Sequence, residues 1–208
     1  MKKATTLFVC LLAFCMVQAQ TVSKSTVDQY RQLVKMSGQS FTKCSGMVEQ
    51  WGFTHNKDGI MDLFTMQSHP YFRAEGTDTV GVMLGVIDDV VCSQSGVCSS
   101  TDPTHTYALI AQGSAIQQEL ATAMGLTKYV CSVKGKVSNK FPKNHEELVE
   151  VLKGATAETV KQVYESWKSA DGKTTLTLVY DNHLYNKKKP RSKDRAELIL
   201  GIGTVPEN

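Results

Sequence analysis

The sequence contains no C-x-x-C pair, no P-loop, no G-x-G-x-x-G turn and no H-E-x-x-H helix. Those absences remove the simplest thiol-redox, nucleotide-phosphate, dinucleotide and zinc-protease readings. No G-x-S-x-G elbow marks an esterase nucleophile, and no N-x-[ST] acceptor occurs beyond residue 19. Proline is scarce at 5 residues and glycine stands at 15 of 208, which excludes a collagen-like or low-complexity chain. Nor is one sign of charge in large excess: the net charge is +3, and Lys2 and Lys3 account for two of those charges. What remains, with 41% hydrophobic and 21% charged residues, is a folded chain long enough for a core but without a motif that names a reaction.

Lys2 and Lys3 precede an uncharged, mostly apolar run from Ala4 to Val17, and Val17-Gln18-Ala19 offers small residues where a signal peptidase reads. Residues 1–19 are therefore expected to be a signal peptide, leaving a secreted, extracellular domain over residues 20–208 with no transmembrane segment. Cys10 and Cys15 leave with the leader. Four cysteines then remain, Cys44, Cys92, Cys98 and Cys131, and an even count in an oxidising compartment predicts two disulfides. The short spacing favours Cys92 with Cys98, which leaves Cys44 to pair with Cys131. No metal site or cofactor is expected.

An ordered series of matches suggests an internal repeat. Ser25-x-x-Asp28 and Asn144-x-x-Glu147 both read as helix caps. Stripes through Phe41, Cys44, Met47, Val48 and Trp51 and through Val160, Val163, Tyr164 and Trp167 both suit a second helix. Asp58-Gly59 is answered by Asp171-Gly172, His69-x-Tyr71 by His183-x-Tyr185, and Asp78–Val86 by Asp194–Ile202, at offsets between 113 and 119. The expected fold is α+β with a mostly antiparallel sheet. Two similar helix-helix-strand-strand units, about 25–88 and about 144–204, share one core, with a disulfide-containing insert at about 90–140 between them.

Two groups of residues are candidates for a site. His69 and Tyr71, and likewise His183 and Tyr185, stand two apart on expected strands, so each pair presents an imidazole and a phenol on one face for ligand binding. Lys187, Lys188, Lys189, Arg191, Lys193 and Arg195 stand against the single acid Asp194 and form a basic loop suited to weak polyanion binding. Asp88-Asp89, adjacent acids that point apart on a strand, and Glu146-Glu147, ordinary first-turn helix charges, are not read as paired catalytic or metal-binding carboxylates.

The expectation from these features is a non-catalytic secreted protein stabilised by disulfides, with a small apolar ligand or an extracellular protein as its partner. The alternative is a small secreted hydrolase of an anionic polymer, with His69 or His183 as acid or base. A third, a peptidase inhibitor, would use the Cys92 to Cys98 segment as its exposed loop.

Overall fold

The structure, a computed structural model, describes residues 29–63, 65–136, 139–188, 191 and 193–204. The leader and the cap at Ser25 lie outside these residues, as does Lys189. Helices α1 (residues 29–34) and α2 (Phe41–Gln50) lead to strand β1 (Thr54–His55), a single 3-10 turn (Lys57–Gly59) and β2 (Met61–Leu63). Then come β3 (Met66–Glu75), β4 (Asp78–Ile87) and β5 (Val90–Ser100). The second half runs α3 (Pro103–Ala108), α4 (Ile110–Ala123), β6 (Lys128–Gly135), α5 (His145–Lys153), β7 (Val160–Lys168), β8 (Thr174–Asn182) and β9 (Ala196–Thr204).

All nine strands form one antiparallel sheet in the order β1-β3-β4-β5-β9-β8-β7-β6, with β2 also paired to β3. Local chemistry explains the connections. Asp88 and Asp89, both with positive φ, make the two-residue turn between Ile87 and Val90, and Asp is among the few residues that tolerate that backbone. Gly76, at φ +62, turns β3 into β4, and Gly172, at φ +76, lies between β7 and β8. Asn144 caps α5 by accepting from the Glu147 N–H at 2.8 Å.

The sheet buries one face. On β8, Leu176, Leu178 and Tyr180 are buried while Thr175, Thr177, Val179 and Asp181 between them are half-buried, the two-residue period of a strand with one face on the core. Helices reach that face closely. A Cβ on Gly113 of α4 would come within 3.0 Å of Leu200 and 3.2 Å of Leu178, so α4 lies nearly on the β8 and β9 side chains. Gln117 donates from one amide nitrogen to the Tyr30 hydroxyl of α1 at 2.9 Å and to the Thr177 carbonyl at 2.8 Å, tying helix, helix and sheet together. No helix among the described residues is long and apolar enough to cross a membrane.

Several expectations are overturned. The fold is α+β and sheet-rich, but it is not two helix-helix-strand-strand units around a disulfide-containing insert. Residues 160–168, whose stripe suits a helix, are strand β7, and the expected insert contributes helices α3 and α4. Trp51 follows α2 as its C-cap, whereas Trp167 sits within β7 against Tyr129, so the matched tryptophans have unrelated surroundings. The internal repeat as aligned at those offsets is therefore lost. Insert residues 90–100 form β5, at the centre of the sheet.

The disulfides go as well: Cys44, Cys92, Cys98 and Cys131 are all buried and free. Cys92 and Cys98 lie on the same strand, six residues apart. That spans roughly 20 Å at about 3.3 Å per residue, several times the Cα separation a disulfide allows. Cys44 sits in α2 with its sulfur against the Met36 carbonyl, while Cys131 is on β6 at the far edge of the sheet from β1. Burial raises all four thiol pKa values, those of Cys98 and Cys131 to about 12, which keeps them protonated and unreactive at neutral pH.

The register slip between β6 and β7 gives a test. Gly135 pairs with Val160 at that slip, and a Cβ there would sit 2.1 Å from the Thr159 carbonyl oxygen. Backbone has no rotamer with which to escape. Gly135→Ala is expected to cost about 2–3 kcal/mol in urea unfolding; a change within about 0.5 kcal/mol, as at an ordinary surface site, would contradict the close approach.

Candidate functional site

One row of directly paired residues crosses the sheet on its buried face: His55, Tyr71, Val82, Gly96, Leu200, Leu178, Glu165 and Cys131. The centre of the row is apolar and both ends are polar. A buried polar group is tolerated only where partners replace its water, so each end must carry its own hydrogen-bonding arrangement.

At the first end, the Tyr71 hydroxyl donates to Ser45 Oγ of α2 at 2.9 Å. The His55 ring stacks on Tyr71, with centroids 4.5 Å apart and planes 16° from parallel. His69, only 7% exposed, stands one pleat along β3 on the same face and packs against Phe41 at 4.2 Å. Its Nδ1 lies 3.4 Å from His55 Nε2. Burial lowers the pKa of both rings. The neighbouring His55 lowers that of His69 further, while Glu49 opposes and Lys57 reinforces the shift at His55. Both imidazoles are therefore neutral at pH 7.

At the other end, Glu165 is fully buried. Ser114 donates to its Oε1 at 2.8 Å and the Tyr129 hydroxyl donates to the same oxygen at 3.1 Å, while Oε2 is buried with no partner among the described residues. Burial pushes this carboxyl up to about 7, the two hydrogen bonds only partly offsetting the loss of water. Ser114 also lies 2.8 Å from His145 Nδ1. With its one proton given to Glu165, Ser114 accepts from the imidazole, so the chain of donation runs from His145 through Ser114 to Glu165. Serine, histidine and glutamate together suggest a nucleophile, but the order is wrong: the hydroxyl is bonded to the carboxylate, not activated by the imidazole, and Ser114 is 0% exposed. This is a scaffold network.

The residues singled out from sequence separate. His69 and Tyr71 come together, joined by His55, Ser45 and Phe41, which no local pattern marks. His183 and Tyr185 lie in the turn after β8, where their N–H groups donate to the carbonyls of Arg195 and Asn182. They form no second copy of the first pair. In the basic loop, Lys187 bonds Asp194 at 2.6 Å, and the Arg191 N–H donates to the other carboxylate oxygen of Asp194 at 2.7 Å. Lys188, Arg191 and Lys193 are exposed and Arg195 is half-buried.

Glu165 sets a pH dependence of stability. Its carboxyl ionises near 4.5 in the unfolded chain and near 7 in the folded one, so its contribution is fully present below pH 4.5 and is lost as pH rises to about 7. The loss amounts to about 3 kcal/mol. Glu165→Gln keeps an acceptor for Ser114 and Tyr129 but cannot ionise, and is expected to remove that part of the slope. Urea unfolding of both proteins at pH 5 and pH 8 measures it; parallel losses in the two would contradict the burial of this carboxyl. Compared with protein-family models, with curated proteins and with solved structures, the chain matches none.

Proposed function

We propose that this chain is a non-catalytic binding protein whose small ligand is taken up at the imidazole and aromatic cluster of His55, His69, Tyr71 and Phe41. The observation that carries the reading is the pair of facing ring nitrogens 3.4 Å apart, on two neutral imidazoles with aromatic contacts on both sides. Neutral imidazole is both donor and acceptor, and the surrounding rings supply apolar area, a combination suited to recognising a small molecule. Work outside the cell is part of this proposal, supported by the leader pattern of residues 1–19.

The hydrolase alternative draws on the same pair of histidines. It needs a carboxylate or hydroxyl to orient the base and a cationic region to hold an anionic polymer beside it. Neither is near. Among the described residues the ring nitrogen of His69 faces that of His55 alone, and the nearby Ser45 is engaged by Tyr71. His69 lies on the rung Leu84, Gln94, Ile202 and Leu176, while the basic loop joins β8 to β9 beyond Asn182. Leu176 and Asn182 are six residues apart, roughly 20 Å along the strand, and four strand spacings of about 4.8 Å lie between β3 and β8. Polyanion binding at Lys187, Lys188, Lys189, Arg191, Lys193 and Arg195 is thereby a separate and weaker proposal, weakened by the pairing with Asp194.

Two measurements test the reading. Imidazole proton–nitrogen spectra recorded against a set of ring-containing fragments are expected to show shifts confined to His55 and His69, lost in His69→Ala with the far-ultraviolet circular dichroism unchanged. Hydrolysis of RNA, DNA or a sulfated glycan is expected to be at background. Turnover that disappears in His69→Ala would overturn the non-catalytic reading.

A further inference from the structure

The distance between the two imidazoles fits poorly with a hydrogen bond. A bond between ring nitrogens belongs at about 2.7–3.2 Å, and His69 Nδ1 to His55 Nε2 is 3.4 Å. Two metal–nitrogen bonds of about 2.0–2.1 Å meeting at a tetrahedral angle hold their nitrogens about 3.3–3.4 Å apart. The ring centroids are 5.5 Å apart, about 2 Å more than the nitrogens, so each nitrogen faces the gap from its own ring.

We propose that His55 and His69 form a two-imidazole seat for one divalent first-row transition-metal ion, Cu2+ binding more tightly than Zn2+. The inference rests on the binding reading above and names the ligand's chemistry. His55 Nε2 and His69 Nδ1 are the two donors. Among the described residues no group of three His, Cys, Asp or Glu side chains could hold a metal, so water or a donor outside the described residues fills the remaining positions. With two nitrogens and exchangeable oxygens as the set, affinity follows the general order in which Cu2+ exceeds Zn2+.

The surroundings prepare these rings. β1 and β3 hold the two histidines in one ladder, with His55 opposite Tyr71 and the Asn56 N–H donating to the Pro70 carbonyl at 2.9 Å. Tyr71 stacks on one ring, Phe41 packs on the other, and Ser45 fixes the Tyr71 hydroxyl, so little rotamer freedom remains to be lost on binding. Coordination takes the neutral form of each imidazole. Of the charged groups acting on His55, Glu49 favours a cation and Lys57 opposes one.

The test uses residues 20–208 purified without a histidine tag and titrated with Cu2+ alone, then Zn2+ alone, by calorimetry. One equivalent is expected, with Cu2+ tighter, and with affinity reduced by more than about tenfold in either His55→Gln or His69→Gln. A second measurement needs no variant: substoichiometric Cu2+ is expected to broaden the amide signals around residues 55 and 69 first. Absence of binding overturns the metal seat, as does broadening centred on His105, His145 or His183, or affinity unchanged in both variants. If fragments still shift the His55 and His69 rings while neither metal binds, the binding reading stands and the metal inference alone falls.

Discussion

The structure depends on the ladder between β5 and β9. Each is the last strand of its half of the chain, and their antiparallel pairing from Ser93 opposite Gly203 to Ser100 opposite Ala196 turns two open meanders into one sheet. Without that ladder, β5 and β9 would each present an unpaired edge, and neither half would have enough buried face to cover its helices. About a hundred residues separate the paired strands in sequence, so this contact carries a large ordering cost that only shared burial repays. The rungs through Val80 and Leu198 and through Val82 and Leu200, with Leu84 and Ile202 on either side of the buried Gln94, supply that burial.

Apart from Gln94 on β5, the centre of this face is apolar, and its hydrogen-bonded polar side chains lie towards the edges and strand ends, where helices arrive with hydroxyls. Ser45 of α2 meets Tyr71 on β3, and Ser114 of α4 meets Glu165 on β7. The two ends nevertheless differ in kind. Glu165 is enclosed by Ser114 and Tyr129 with one oxygen unpartnered among the described residues, a stability cost that varies with pH. The His55 and His69 end keeps two rings facing each other with 3.4 Å between the nitrogens, the pair on which the proposed binding site rests. The far edge, β6, carries Lys128 and Lys134 and is bridged at Val133 by Lys140, features that discourage further strand pairing.

Local signals in the sequence were reliable where one residue type leaves few choices. The cap at Asn144, the strand that starts at Asp78 and the turn at Gly172 are each set by chemistry within a few positions. Strand β7 departs from the helical expectation because its inward alternation, the buried Val163 and Glu165 and the half-buried Trp167, contains an acid, while Val160, Val163, Tyr164 and Trp167 mimic a helical stripe; its β-branched and aromatic residues are the better guide. The disulfide expectation failed because an even cysteine count says nothing about strand continuity: six residues of β5 hold Cys92 and Cys98 apart. Of the site, His69 and Tyr71 were legible through their two-residue spacing. His55, Ser45 and Phe41 were not, since they join only when α2 and β1 fold onto β3.

Native-state hydrogen exchange tests the central ladder most directly. The amides of residues 93–100 and 196–203 that bond across it should be among the slowest, and those of β4 and β8 should exchange with them in a single global opening. If the amides of β3, β4 and β5 exchange together well before those of β7, β8 and β9, the halves are separate cooperative units and the β5–β9 ladder does not hold the molecule together.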